Sequence, residues 1–246
     1  MLPIGHFLFR FRNLLFPLVF LPLAVILKPA FMGGDNWIDN GLDALGGIVL
    51  AAGLALRSLV VGLAYITRGG TDRKGYAGTL VTDGIFAHSR NPLYLGNILI
   101  LCGLAMIQGS PWFYLAGLPL LVFAYFCIVV AEEEFLSRKF GQSYEDYVRR
   151  TNRFFPSTKG LAGTIRGMRF DWKRVIRKEY GTLFGAFTGV VGLLEWEDVR
   201  RYGWRAESDD LWRALLLWIA VFCLYVTARI LKKRKLLGDG EAAEPA

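Results

Sequence analysis

The chain has 246 residues, of which 54% are hydrophobic, and its mean hydropathy is +0.36. This composition is too apolar for an ordinary soluble domain and predicts a membrane protein in contact with membrane lipids. The formal net charge of +8 does not indicate binding to nucleic acid, because the basic residues adjoin apolar segments, and anionic lipid headgroups are their expected counterpart.

Six apolar segments predict an all-α fold, a polytopic membrane helix bundle of about six transmembrane helices, since each is near the roughly 20 residues that cross a bilayer. In chain order the segments are residues 14–32, 44–66, 92–108, 111–131, 180–194 and 211–230. The first is expected to bend near Pro17 and Pro22. The fifth is short and rich in glycine, so a helix that lies in the interface or re-enters the membrane stays open as its alternative.

The charges of the loops predict the orientation of the bundle. With six spans, the strongly basic parts of the chain all fall on one side. These parts are residues 10–12, 68–90, 132–179 and 232–235. The loops at 35–43 and 197–210 carry more acid than base and fall on the other side. Cytoplasmic loops are enriched in Lys and Arg, so we expect a multi-pass protein of the inner or plasma membrane with both termini in the cytoplasm.

Two features of the predicted spans concern packing inside the bundle. Arg57 lies near the middle of the second span, where a cation is costly without a partner. An internal ion pair or a bond to freed carbonyl groups is favoured, and contact with a bound anion is the alternative. Gly181, Gly185 and Gly189 share one face of the fifth helix and predict close helix packing, either within the fold or between the subunits of a homo-oligomer.

The sequence does not predict a metal site. The cysteines Cys102, Cys127 and Cys223 lie inside apolar segments, and the two histidines are His6 and His88. None of them has a Cys or His partner at the spacing of zinc ligands. The cysteines are therefore interpreted as small apolar residues of the packed helices.

Two polar clusters flank the third and fourth spans. Residues 88–96 read His-Ser-Arg-Asn-Pro-Leu-Tyr-Leu-Gly and run into the third span, and residues 132–134 are three glutamates that close the fourth. If these spans form a hairpin across the bilayer, both clusters lie at the same membrane face. Ionisable groups at such a place are costly and indicate a functional site. We therefore expect residues 90–96 and 132–133 to converge in one pocket.

The motifs around these clusters follow one another in a fixed order. They are Arg90-Asn91-Pro92-x-Tyr94-x-Gly96, Glu132-Glu133-x-Phe135-Leu136, Phe140-Gly141-x-x-Tyr144-x-x-Tyr147 and Arg153-Phe154-Phe155-Pro156. Residues 80–156, about a third of the chain, resemble in this order the isoprenylcysteine carboxyl methyltransferase and phospholipid methyltransferase superfamily of integral membrane enzymes. Asn91 stands where that family usually has histidine. An amide shares hydrogen bonds but does not titrate near neutrality, so acid–base chemistry is not expected at Asn91.

The apolar segments and the resemblance together divide the chain into three regions, and the resemblance implies a cofactor, S-adenosylmethionine. Residues 1–79 hold two transmembrane helices, residues 80–156 form the methyltransferase core, and residues 157–246 add a basic linker and two further membrane helices. The expected cofactor-binding residues are His88, Arg90, Asn91, Pro92, Tyr94, Leu95, Gly96, Glu132, Glu133, Tyr144 and Tyr147. The amphipathic segment after the glutamates, broken near Gly141, is then a cytoplasmic helical lid, although simple docking on the lipid surface is its alternative.

The expected reaction is methyl transfer to a lipid-like acceptor that enters from the bilayer. A carboxylate acceptor needs only a cation to hold it, and the candidate catalytic cations are Arg149, Arg150 and Arg153. An amine acceptor must lose a proton, which Glu133 or water can take. Two other classes stay open: a membrane reductase of the sterol reductase type that uses NADPH, and a non-catalytic membrane protein.

Overall fold

The computed structural model describes residues 2–29, 36–63, 79–204 and 208–237. Within these ranges the chain is helical and contains no strand, which confirms the predicted all-α class. The helices are α1 (Leu2–Ile26), α2 (Asn36–Leu63), α3 (Pro92–Gln108), α4 (Leu118–Phe140), α5 (Gln142–Arg150), α6 (Leu161–Gly167), α7 (Trp172–Tyr202) and α8 (Ser208–Lys233). A 3-10 turn over Gly84–Ala87 precedes α3, and a π-helical turn over Phe113–Gly117 leads into α4.

Among the described residues, three helical segments are long and apolar enough to cross a membrane. These segments are Trp37–Leu63, Phe113–Phe140 and Asp209–Lys233. The two halves of α1 make a fourth if they count as one bent span. Helix α3 is apolar but has only 17 residues. The structure thus supports a membrane protein, while the predicted number of about six spans is not confirmed.

Helix α1 bends earlier than the sequence predicts. Its halves, Pro3–Arg12 and Leu14–Ile26, meet at 89°, so the bend lies one turn before Pro17 and well before Pro22. A proline ring clashes with the carbonyl group four residues earlier in a helix. For Pro17 this carbonyl belongs to residue 13, which accounts for the position of the bend.

Helices α2 and α3 touch through bare backbone. A Cβ atom on Gly53 would lie 2.7 Å from the carbonyl oxygen of Gly96, and one on Gly103 would lie 2.5 Å from the carbonyl oxygen of Gly46. These glycines recur at seven-residue intervals on both helices, so they remain on the shared face along the crossing. Only glycine allows this approach. The crossing fixes α3, which carries the first polar cluster, directly against α2.

The glycine face predicted on α7 is used less than expected. Gly189 does pack closely, since a Cβ atom there would lie 3.1 Å from the Leu104 side chain of α3. Gly181 and Gly185 have no atom among the described residues within 4 Å of a Cβ position. Close packing inside the fold is therefore wrong for these two residues, and contact between subunits stays a prediction.

Helix α7 runs antiparallel to α2 along its length. Arg57 on α2 pairs with Glu179 near the start of α7, and Asp39 near the start of α2 pairs with Arg201 near the end of α7. About 33 Å of helix separates the two pairs along α7. Helix α8 packs on the other side of α7, where the Trp218 indole N–H donates to the Thr188 hydroxyl at 3.0 Å.

Four exposed tryptophans mark one end of the bundle. They are Trp37 at the start of α2, Trp112 before α4, Trp204 after α7 and Trp212 in α8. Tryptophan is enriched at membrane–water interfaces. This end is therefore interpreted as one membrane boundary, and the start of α3 and the end of α4 lie towards the other.

The glycine crossing yields a matched pair of variants. Gly53→Ala places a methyl group against the α3 backbone and should lower the free energy of unfolding by about 1–3 kcal/mol, the usual cost of overpacking. Gly47→Ala, on the same helix but with open space at the Cβ position, should raise it by about 0.5–1 kcal/mol through helix propensity. Denaturant titration in detergent measures both, and equal effects of the two variants would contradict the backbone contact.

Candidate functional site

The two polar clusters meet at one end of the bundle. The Asn91 side-chain amide donates a hydrogen bond to Oε1 of Glu133 at 3.0 Å. The Tyr94 hydroxyl donates to Oε2 of Glu132 at 2.7 Å. The start of α3 is thus bonded to the last turns of α4 through two adjacent carboxylates. The predicted convergence of residues 90–96 with residues 132–133 is confirmed.

Glu133 is the centre of this cluster. Its side chain lies between two guanidinium groups, and the residue is only 9% exposed. Nη2 of Arg153 lies 2.8 Å from Oε2 of Glu133, whereas Nη1 of Arg90 stays 3.7 Å from Oε1. Nε of Arg90 is buried and has no hydrogen-bond partner among the described residues. Arg153 therefore neutralises Glu133 most directly, and Arg90 retains capacity for a further anionic group.

Backbone pairing brings Arg153 to this position. The chain leaves α5 and returns beside the start of α3, where the Arg90 N–H donates to the carbonyl of Asn152 at 2.9 Å. The Asn91 N–H donates to the carbonyl of Arg153 at 3.0 Å. Residues 152–153 thus lie alongside residues 90–91, and their side chains share one site. Such bonds satisfy buried backbone groups that no helix would satisfy here.

Tyr144 and Tyr147 close the site from α5. The predicted break at Gly141 is confirmed, because this residue ends α4 with a φ of 52°. The Tyr147 hydroxyl donates to the carbonyl of Phe86 at 2.7 Å, and the positive charge of Arg90 acts on the pKa of Tyr144 in the opposite sense to its burial. Burial is the main cause that raises the pKa of both phenols, and the nearby Glu133 adds to the rise. Both tyrosines therefore stay protonated at neutral pH.

His88 lies away from the carboxylates. Its Nδ1 is 2.9 Å from the carbonyl oxygen of Ser157, and its Nε2 is 2.9 Å from the Thr164 hydroxyl. The carbonyl can only accept, so Nδ1 carries the proton and Nε2 accepts from the hydroxyl. The buried ring holds the segment before α6 and is not brought to Glu132 or Glu133. Its predicted contact with the cofactor stays a prediction.

Three neighbours in the predicted cofactor set belong to α3 itself. Pro92 is the buried first residue of the helix, and Leu95 is half-buried one turn along it. Gly96 faces α2, where a Cβ atom would lie 2.6 Å from Cγ of Arg57. This glycine therefore allows the close approach of the neighbouring helix. These residues shape the start of α3, and none of them offers a charged group.

Arg149 and Arg150 are exposed on α5. Nε of Arg150 donates to the backbone carbonyl of Asp146 on its own helix at 3.1 Å. The structure therefore does not bring these two predicted catalytic cations to the glutamates. Arg153 reaches them because it follows the end of α5, where the chain has turned back towards α3.

Arg12 is a site residue that the sequence did not reveal. Its Nη1 donates to the Tyr94 hydroxyl at 2.9 Å, and its guanidinium lies over the Phe9 ring at 4.6 Å. The Tyr94 hydroxyl in turn donates to Glu132, so a cation of α1 reaches the cluster through one phenol. The sequence placed Arg12 only as a basic residue before the first span, and no local spacing links it to α3.

Arg57 forms the predicted internal ion pair. Its Nε and Nη2 each donate to one carboxylate oxygen of Glu179 at 2.8 Å. Its Nη1 donates to Oδ1 of Asn97 at 2.5 Å and approaches the carbonyl of Leu93 at 3.5 Å. The interpretation of Arg57 as a structurally paired cation is confirmed.

Comparison with known proteins places the chain in a family. A family model described as phospholipid methyltransferase matches residues 44–143. The chain is also 31% identical over 156 residues to the nickel-cobalt-cadmium resistance protein NccN of Alcaligenes xylosoxydans xylosoxydans, an alignment that covers 63% of this chain and 68% of that protein. The chain belongs to the phospholipid methyltransferase family. No solved structure matches it.

The phospholipid methyltransferase match begins earlier than the sequence resemblance suggested. It starts at residue 44 in α2, not at residue 80, and ends at residue 143, just after Gly141. It therefore includes the glycine crossing of α2 with α3 as well as both polar clusters. Arg12 and Arg153, which contact the clusters from either side, lie outside the matched segment.

The contact of Arg12 with Tyr94 can be tested by substitution. Arg12→Ala removes the hydrogen bond from the guanidinium to the Tyr94 hydroxyl, and it should lower the free energy of unfolding by about 1–3 kcal/mol, the usual range for a hydrogen bond to a charged group. Arg10→Ala, at an exposed position on the same helix, should change it by less than about 0.5 kcal/mol. Denaturant titration in detergent measures both, and a neutral Arg12→Ala would contradict the contact.

Proposed function

We propose that this chain is an integral membrane methyltransferase that uses S-adenosylmethionine and acts on a lipid-like acceptor at the cytoplasmic boundary of the membrane. Membership of the phospholipid methyltransferase family supports methyl transfer, and the long apolar helices support the membrane setting. The observation that carries the proposal is the cluster around Glu133, in which two carboxylates and a cation with unused hydrogen-bonding capacity meet at one end of the bundle.

The residues present fit S-adenosylmethionine. Its amino-acid part has a carboxylate and an ammonium group, and its ribose has two hydroxyls. The buried Nε of Arg90, which has no partner among the described residues, and the long 3.7 Å contact of this guanidinium with Glu133 leave it able to hold a carboxylate. Glu132 and Glu133 can accept hydrogen bonds from an ammonium group or from hydroxyls. When bound, the cofactor supplies a methyl group on a sulfonium, which is a good leaving group.

The side chains around the carboxylates have positioning roles in this proposal. Asn91 orients Glu133, and Tyr94 orients Glu132, so that both carboxylates are held before any ligand arrives. The buried Tyr144 and its lid helix exclude water from this end of the site. No covalent enzyme intermediate is needed, and alignment is the main contribution of the protein.

The cations and bases at the site fit two classes of acceptor. An acceptor with a carboxylate needs a cation beside the transferred group, and Arg153 is the candidate that reaches the cluster. An acceptor with an amine must lose a proton, and Glu133 is the carboxylate at the centre of the cluster that can take it. A lipid-like acceptor would approach from the bilayer, and the basic loops support a cytoplasmic site with both termini on that side.

Binding measurements test the cofactor. Arg90→Ala and Glu133→Gln should each abolish measurable affinity for S-adenosylmethionine, because the first removes the anion-binding group and the second removes half of the charge that faces the ammonium. Isothermal titration calorimetry in detergent measures the affinity, circular dichroism confirms the helical fold, and Arg149→Ala, on the exposed face of α5, is the control. Unchanged affinity in both variants would contradict the assignment.

A thermal shift with NADPH and none with S-adenosylmethionine would favour the reductase alternative.

The related protein suggests a second candidate role. NccN is named for resistance to nickel, cobalt and cadmium, and we infer that any such role of this chain is indirect. Among the described residues, no three His, Cys, Asp or Glu side chains form a group that could hold a metal ion. Methylation of a membrane component would then be the route to resistance. Cells that carry Arg90→Ala should lose metal resistance as cells without the gene do. Resistance retained in cells that carry Arg90→Ala would show that resistance does not depend on methyl transfer.

A further inference from the structure

Helix α7 lies outside the segment that matches the family, yet it contacts the core close to the candidate site. The contact is the buried ion pair between Glu179 of α7 and Arg57 of α2, and Glu179 is only 3% exposed. Both carboxylate oxygens of Glu179 accept from the guanidinium at 2.8 Å. This two-point geometry fixes the plane of the Arg57 side chain as well as its position.

The same guanidinium also contacts the first two turns of α3. Its Nη1 donates to Asn97 at 2.5 Å and approaches the carbonyl of Leu93 at 3.5 Å. The aliphatic part of Arg57 passes over Gly96, the glycine that ends the first polar cluster. Arg57 therefore touches α3 at three successive points, and its orientation depends on Glu179.

These turns of α3 carry the groups that hold the two carboxylates of the site. Asn91, which bonds Glu133, lies two residues before Leu93, and Tyr94, which bonds Glu132, follows it directly. A shift of the first turn of α3 would move both donors together. Displacements of about 1 Å in supporting structure can cost about 100-fold in the function of a site.

We propose that Glu179 is a positioning residue of the cofactor site, acting through Arg57 on the first two turns of α3. Helix α7 then contributes to cofactor binding, although it supplies no group that touches a ligand. The inference rests on the proposed function, because the quantity it predicts is affinity for S-adenosylmethionine.

A second ion pair between the same two helices provides the control. Asp39 of α2 and Arg201 of α7 pair at the far end of the crossing, about 27 Å along α2 from Arg57. Loss of Glu179 leaves Arg57 without its carboxylate partner, whereas Arg201 keeps Glu197 of its own helix when Asp39 is lost. Loss of either pair weakens the packing of α7 on α2. Only the pair that includes Glu179 contacts the first two turns of α3, since Asp39 lines a small cavity with Met106 and Gly109 at the far end of that helix. A purely structural role therefore predicts equal effects on ligand affinity, and a positioning role predicts unequal ones.

The experiment compares Glu179→Gln with Asp39→Asn in the full-length protein in detergent. Calorimetry with S-adenosylmethionine, well below the melting temperature of each variant, should show about tenfold weaker binding for Glu179→Gln and unchanged binding for Asp39→Asn. Thermal unfolding should show a lower melting temperature for both. Equal affinities in Glu179→Gln and the wild type would overturn the inference while leaving the proposed function in place.

The double variant Arg57→Gln/Glu179→Gln separates folding from positioning. Neutralising both partners avoids an unpaired buried charge, so the melting temperature should recover towards the wild-type value. The affinity for S-adenosylmethionine should remain about tenfold lower, because glutamine cannot bridge α7 and α3 as the guanidinium does. Recovery of affinity together with stability would overturn the inference. Absence of binding by the wild-type protein would instead remove the proposed function itself.

Discussion

The rest of the site depends on the ion pairs and the hydrogen bond of the buried Glu133 carboxylate. A charge in such a place must be paired and hydrogen-bonded, and its partners come from two separate parts of the chain. Arg90 and Asn91 precede α3, and Arg153 follows α5. Three features of the fold bring these partners together: the chain turns back after α5, α4 ends at Gly141, and α3 packs closely on α2.

The sequence predicted those features that depend on short-range rules. The third span was predicted at residues 92–108, and α3 has these limits because Pro92 suits the first turn of a helix and Gly109 ends it in the left-handed conformation. The chain then reverses over Gly109 and Ser110 and becomes helical again at Pro111, which makes an antiparallel hairpin. This constraint alone places both polar clusters at one end, which is why their convergence was predictable.

Contacts between helices that are distant in sequence were not predictable. Arg12 and Glu179 carry no local signal, since a single charged residue near an apolar segment is interpreted first as part of the membrane topology. The sequence also could not distinguish the arginines at and after the end of α5. Arg149, Arg150 and Arg153 were equivalent candidates in the sequence, and only the point at which the helix ends distinguishes Arg153 from the exposed pair.

The exposed tryptophans also set the depth of Arg57. From Trp37 at one boundary, Arg57 lies about 30 Å along α2, which is the full thickness of the hydrocarbon layer. The sequence had assigned this cation to the middle of the bilayer, because the predicted span began at residue 44 and the observed helix begins at Asn36. Arg57 and Glu179 therefore lie towards the opposite headgroups, at the level of the first turns of α3 that Arg57 contacts.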